Sequence, residues 1–524
     1  MPESTPTAPR RNPRSWFDRP ERVLACFIGF SLIAWTLQCS LLQKVLGLDV
    51  LETILWGEKM AWGHSKHPPL SGWIGGFFAR ASGHGDWAMY LAAQLCVCIG
   101  IFFAFKVARL FFDRYRATVS TLLLYFLFYY TPSWMKFSTY FVEIALAPAA
   151  AYFLLRALRG NRLADWCLLG LLCGLGFLNK YSFGLILLGF ALVVLTRADY
   201  RRRLASPGPY LAALLCIILF LPHLKWLWEN DFVCFQHVDE RLEEEHNFLM
   251  PLAVLAAALY PMLTEALAVA LALLPPFGAV WRKPRALWEK FRSLEGWERC
   301  PADREALHFA AILSLTPGAF YLLLSLTGTD IILMWLCSVA SCSGVAVMAL
   351  CPVKADARLL RRITWILAIY IGIIFAATTA DATFRTTTSM HLDPHDVISA
   401  GEEFWHRHNA EPLRVVVGGL RYAAIFDHYS PRHPLGCESD DDLSVDLCRE
   451  QIERYGALLI DSKLRDLNPF LNRLETPVEF EECYIAYRSL LGETKSRHLF
   501  MAYLPPGAKI RKSADANAEK NGHE

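Results

Sequence analysis

Between residues 48 and 70 the chain reads LDVLETILWGEKMAWGHSKHPPL, which gathers carboxylates, indoles, imidazoles and ammonium groups into one short stretch. Asp49, Glu52 and Trp56 fall at i, i+3 and i+7, so a helix here would present two carboxylates and an indole on one face. A carboxylate so placed can take the proton of a hydroxyl nucleophile. The same spacing also suits a solvated acidic first turn with a Trp anchored at a lipid interface. His64, Lys66 and His67 run into Pro68-Pro69, which stiffens the backbone and starts a new helix, and their cationic character suits an anionic phosphate. A generic basic loop would look alike.

Two further places carry chemistry-capable side chains. Lys180, in Asn179-Lys180-Tyr181-Ser182, interrupts two apolar runs, and an ammonium there must either reach the headgroups or hold a partner such as a lipid phosphate. Residues 222–246 gather His223, Trp226, Trp228, Asp231 and His237, where aromatics can stack on sugar faces or sit in the headgroup belt. His223, Trp228, Asp231 and His237 join Trp56 and His64 as candidates for lining a substrate pocket. The acidic run from Glu240 to Glu245 reads as a solvated helix face, and Glu143 and Asp330 as packing or loop residues. The Cys96-x-Cys98 pair lacks neighbouring acidic or His ligands, and His237 and Asp239 follow no established metal-ligand spacing, so the expectation is no cofactor, with a divalent metal at His237, Asp239 and neighbours as the alternative.

The elements that position these residues follow from composition. The 524 residues are 54% hydrophobic and 19% charged, with a mean hydropathy of +0.28, so a purely water-soluble enzyme is excluded. A net charge of +2 gives no overall attraction to nucleic acid. After a Pro- and Arg-rich tail at 1–22, an apolar run from Val23 has the length of a bilayer span and no cleavage pattern. Further runs lie near 87–105, 117–132, 140–155, 163–178, 181–196, 208–226, 250–280, 306–327, 330–352 and 363–380, which predicts about eleven spans. With the N-terminus inside, inward connections hold 27 Lys and Arg against 8 in the outward ones, the asymmetry expected of cytoplasmic loops. This orientation sets the chemistry-bearing loops, 45–86 and 228–248, on the outer, periplasmic face of a cell inner membrane.

Residues 381–506 change composition, with short apolar stretches such as Arg414-Val-Val-Val-Gly418 and Ala457-Leu-Leu-Ile460 between polar helical ones, and read as a small outer α/β domain. Cys437, Cys448 and Cys483 would face an oxidising compartment; Cys437 and Cys448 could pair, which spacing alone leaves open. Residues 507–524 lack an apolar pattern and read as disordered.

The string from Asp49 through Trp56 to Lys66-His67-Pro68-Pro69-Leu70 resembles the first outer-loop signature of GT-C membrane glycosyltransferases of the family 39, protein-mannosyltransferase-like group. That group includes aminoarabinose transferases of lipid A and galacturonosyltransferases of rhizobial lipopolysaccharide. Its members place an acidic residue after the first span and a HPPL-like turn some eighteen positions on, as Asp49 and His67 are placed here. Asn179-Lys180-Tyr181, Pro222-His223 through Asp231-Phe232, and Gly328-Thr329-Asp330 through Met334-Trp335 resemble later motifs of the group, so the likeness covers roughly residues 20–380. Phe426-Asp427-His428-Tyr429-Ser430-Pro431 is similar to the outer domain of its alphaproteobacterial branch. Two positions depart: Val50 follows Asp49 where many relatives have a second acid, and Lys66 stands where metal-binding relatives carry an acidic residue.

The resemblance implies a GT-C fold and transfer of a sugar from a polyprenyl-phosphate donor to a lipid or glycan acceptor, without a cofactor. It implies Asp49 as general base, Glu52 supporting it, and Lys66, His67 and Lys180 holding the departing phosphate. A lipid or sugar transporter, or an inactive envelope-assembly scaffold, are the alternatives. A transporter predicts ionisable residues midway through spans and internal repeats, and neither stands out in the sequence.

Overall fold

The computed structural model describes residues 16–131, 137–235, 248–274 and 301–512. His237, Asp239 and the whole acidic run from Glu240 to Glu245 lie outside the described residues, as do 513–524. Eight described helices are long and apolar enough to cross a membrane: Pro20–Leu42, Asp86–Phe111, Thr139–Gly160, Gly208–Glu229, Met250–Leu273, Ala302–Ser325, Leu333–Leu350 and Ala357–Phe384. A ninth candidate is the pair Phe183–Thr196 and Ala198–Ala205, bent by 102°, and Leu163–Asn179 is a shorter apolar helix. The protein is a multi-pass membrane protein.

The run at 117–132 is not one continuous helix of spanning length. Its helix, Arg114–Leu123, ends after ten residues and tightens into a 3-10 turn at Leu124–Phe126. Ala117 to Leu127 are all buried, so this run is apolar because protein, and not lipid, encloses it. Midway along Met250–Leu273, Glu265 is fully buried and accepts a hydrogen bond from Ser343 at 2.8 Å. It is an intramembrane carboxyl that hydropathy passes over, and it ties two helices together.

The basic connections converge at one end of the bundle, where Arg116 pairs with Asp303 (2.7 Å), Arg159 with Glu305 (2.9 Å) and Arg156 with Asp165 (3.0 Å). The opposite end carries the loop after the first span and the terminal domain. That loop folds into two short helices, Leu48–Lys59 and Leu70–Ala81. They cross so closely that a Cβ at Gly57 would come within 2.3 Å of the Gly72 carbonyl oxygen, which glycine alone permits. Gly47 starts the first helix, and left-handed Met60 ends it.

Beyond Ala357–Phe384, the helix Pro394–His408 leads into a five-stranded sheet of order β2-β1-β3-β5-β4. Its strands are β1 (Val415–Gly418), β2 (Leu435–Glu438), β3 (Ala457–Asp461), β4 (Phe480–Tyr487) and β5 (Lys495–Leu504). β1, β2 and β3 are parallel, whereas β5 runs antiparallel to both β3 and β4. Crossover helices Leu420–Tyr429 and Asp442–Tyr455 complete the α/β domain, and Leu420–Tyr429 lies against Leu48–Lys59. Cys437 on β2 is disulfide-bonded to Cys448 on the second crossover helix. Ile510, in the segment read as tail, is buried and bridges to Leu474.

Candidate functional site

The Leu48–Lys59 helix buries Val50, Leu51, Ile54 and Leu55 between its loop partner and the terminal domain, which turns Asp49 and Glu52 along its remaining face. Asp49 is half-buried, and its carboxylate has no hydrogen-bond or ion-pair partner among the described residues. Glu52 is engaged: its Oε1 lies 2.8 Å from Lys66 Nζ. The same ammonium lies 3.2 Å from Glu438 Oε1, at the carboxyl end of β2. Burial raises the Glu52 carboxyl against the pull of Lys66 and pushes Glu438 up to about 7. Burial alone would lower Lys66, but the two carboxylates win and hold it charged.

Lys66 is therefore a clamped strut between loop and domain, and its charge is already spent on carboxylates. Neighbouring contacts extend the seam: Ser65 donates to Asp441 at 2.7 Å and Lys59 to Ser444 at 3.1 Å. His64 and His67 are not a free cationic pair. His64 is buried and stacked on Trp56 at 5.1 Å, and burial, with Lys59 and His223 nearby, pulls it to about 3, so it is neutral at physiological pH. His67 meets the edge of the same indole at 5.7 Å.

Lys180 sits across from this helix in the hairpin between Leu163–Asn179 and Phe183–Thr196. Its Nζ is buried and has no hydrogen-bond partner among the described residues. It stands 4.1 Å above the Tyr140 ring and 5.6 Å from that of Trp335. Tyr140 is the second residue of the Thr139–Gly160 helix, and the charges of Asp49 and of buried Glu143 both reach it; that of Glu143 also reaches Lys180. Asn179 fixes the hairpin by donating to the Thr139 carbonyl at 2.8 Å. A buried ammonium without a hydrogen-bond acceptor is costly, and its three donors suit an oxyanion. Six residues below Asn179, Cys173 lines an apolar crevice of about 420 Å³ with Leu169, Phe190 and Ala212.

The start of the second loop closes over the first. His223 Nδ1 lies 2.6 Å from the Trp62 carbonyl oxygen and must donate to it, which leaves Nε2 to accept from the Tyr181 hydroxyl at 2.8 Å. Cys234 donates to the His64 carbonyl. Trp228 is 75% exposed and is not brought to the site, and Asp231 is an exposed left-handed turn residue. Glu438 and Tyr140 escaped sequence reasoning because no local spacing connects them to the loop. Among the described residues, no group of three or more His, Cys, Asp or Glu side chains could hold a metal ion.

Over 91% of its length, this chain superposes on 97% of ArnT from Cupriavidus metallidurans bound to undecaprenyl phosphate, with a TM-score of 0.57 at 12% identity. The apo state of the same protein gives 0.56. The chain has the GT-C fold. Residues 66–226 match the family described as dolichyl-phosphate-mannose-protein mannosyltransferase. The chain is 26% identical over 193 residues to the lipopolysaccharide core galacturonosyltransferase RgtA of Rhizobium johnstonii, and 25% over 187 residues to RgtB of the same organism. These stretches cover 36% and 35% of this chain and 38% of each relative. In this GT-C chain, the family match runs from the Lys66 turn to Trp226, and so includes Tyr140, Lys180 and His223.

Proposed function

We propose that this chain is a membrane glycosyltransferase that moves a sugar from a polyprenyl-phosphate donor to an envelope glycolipid or glycan on the outer face of an inner membrane. The observation that carries the reading is that Asp49 and the buried Lys180 ammonium, neither with a side-chain hydrogen-bond partner among the described residues, both lie within electrostatic reach of Tyr140. Asp49 takes the proton of the acceptor hydroxyl as its oxygen bonds to the anomeric carbon. The bond from that carbon to the phosphate oxygen breaks, the electron pair leaves with the lipid phosphate, and Lys180 stabilises the charge that develops there.

Glu52, clamped by Lys66, orients the loop helix and keeps a second negative charge beside Asp49. The galacturonosyltransferase relatives and the undecaprenyl phosphate bound to ArnT support the same class of donor and acceptor. The experiment is reconstituted protein given labelled polyprenyl-phosphate donors bearing a uronic acid, an aminopentose or a neutral hexose. Release of lipid phosphate with one of them is expected, and Asp49→Asn should slow it by about 10²- to 10⁴-fold with unchanged melting. Turnover at the wild-type rate by Asp49→Asn, or no release from any donor, overturns the reading.

A further inference from the structure

The parallel half of the terminal sheet has the order β2-β1-β3, so the chain leaves β1 to one side and returns to the other. In such sheets, ligands bind outside the carboxyl ends of the strands at this switch point, here between β1 and β3. Beyond those ends stand Arg421, one residue into the first crossover helix, Ser462 after β3, and Arg497 near the start of β5. Arg497 donates to the Tyr422 hydroxyl at 3.0 Å and to the Ser462 hydroxyl at 2.6 Å. Arg421 has a buried Nη1 with no hydrogen-bond partner among the described residues.

Neither guanidinium has an ion pair among the described residues, and each lies within reach of the other's repulsion. Asp461, the nearest acid along β3, spends its carboxylate on the backbone amides of Gly419 (2.7 Å), Ser462 (2.5 Å) and Lys463 (3.1 Å), and the Ser462 hydroxyl lies 3.3 Å from its Oδ1. The crevice amides are thus taken, and recognition falls to the side-chain cations. Arg497 has only neutral hydroxyl partners and Arg421 a buried Nη1 without one among the described residues, an arrangement that is costly unless the two share an anion. Paired planar forks match the oxygens of a phosphate or carboxylate.

We propose that Arg421, Arg497 and Ser462 form an oxyanion subsite that takes a phosphate or carboxylate group carried by the acceptor glycan. The acceptor is favoured over the donor because Lys180 already offers the donor phosphate a cation. The same sheet edge also ends in Glu438 on β2, which touches Lys66 of the reaction site. β2 and β3 are two strand spacings apart, roughly 10 Å, so an acidic saccharide anchored at Ser462 lies within a few sugar units of that site. The identity of the ligand rests on the glycosyltransferase reading; the anion site itself does not.

The test uses full-length protein in zwitterionic nanodiscs. Inorganic phosphate, against chloride at equal ionic strength, should raise the melting temperature of the wild type and of Arg421→Lys, but not of Arg421→Gln or Arg497→Gln. In the transfer assay, both Gln variants should raise the KM for a phosphorylated acceptor glycolipid tenfold or more, leaving the donor KM unchanged. Phosphatase-treated acceptor should give the wild type the same high KM. Gln variants that melt like the wild type, keep its phosphate response and keep its acceptor KM overturn the subsite. A lost phosphate response with an unchanged acceptor KM overturns the glycan assignment and leaves a site for free phosphate. Should the wild type release no lipid phosphate from any donor, the transferase reading fails, while the phosphate titration still decides whether the anion site exists.

Discussion

Glu438 and Lys66 are 372 positions apart in sequence and 3.2 Å apart in space. Through this contact the outer domain forms part of the reaction site, since the ammonium it grips is also the one that holds Glu52. Glu438→Gln removes one of the two carboxylates that hold Lys66, and melting curves at pH 5, where Glu438 keeps its proton in the folded chain, should lie close together for the two proteins.

The same residue makes a pH prediction. Because burial lifts Glu438 from the ordinary 4.5 to about 7, the folded chain keeps a proton that the unfolded chain releases in that window. Its contribution to stability therefore falls as pH rises from 4.5 through 7, while the clamp on Lys66 becomes complete. Wild-type activity should rise through pH 7 as melting falls, and Glu438→Gln should flatten both slopes. Parallel profiles of the two proteins would remove Glu438 as the titrating group.

Lys180→Met should separate stability from function. The substitution removes a buried ammonium with no hydrogen-bond partner among the described residues and leaves an unbranched apolar chain over the Tyr140 ring. Melting without donor should change little, because the desolvation cost of the ammonium is removed together with its attraction to buried Glu143. Binding of polyprenyl phosphate should weaken about 10- to 100-fold, the worth of one charged hydrogen bond. Calorimetric titration with the lipid phosphate, beside a melting curve, reads both quantities; undiminished binding would relieve Lys180 of the phosphate.

What could be read from the chain alone depended on distance along it. Span positions are set by local apolar length, so most were legible, whereas the break of 117–132 into a ten-residue helix and a 3-10 turn was not, because burial within protein leaves the run as apolar as contact with lipid would. Asp49, Glu52 and Trp56 were legible because helical spacing is local. The pairing of Lys66 with Glu438 was not legible, because that partner arrives from β2 and no periodicity encodes it. His64 looked cationic because its type is titratable, whereas the stacked Trp56 and its burial keep it neutral.

The Cys437–Cys448 bond closes a short loop of sequence separation 11 at the corner that carries Glu438, Asp441 and Ser444. Cross-linking a loop of that size stabilises a folded domain by about 2–3 kcal/mol in the chain-entropy view. All three residues contact the first loop, so Cys437→Ser/Cys448→Ser should lower melting and also lower kcat. Activity and melting measured on the double variant test this, and unchanged kcat would show that the corner holds its shape without the covalent link.

A second seam between loop and domain is made of imidazoles. His84 Nδ1 faces His428 Nδ1 at 3.2 Å, the His84 ring lies 4.1 Å from that of His433, and His428 Nε2 lies 3.3 Å from Asp86. Burial first, then His433, His428 and Arg80, pull His84 from 6.5 to about 4. The folded chain therefore refuses a proton that the unfolded chain accepts, and this group's contribution is lost as pH falls from 6.5 through 4. Acid should loosen the domain from the loop before the bundle melts. Limited proteolysis of the seam at pH 7.5, 5.5 and 4.5 should show cleavage rising in the wild type and staying flat in His84→Asn. Equal acid sensitivity in both proteins would place the titrating group elsewhere in the seam.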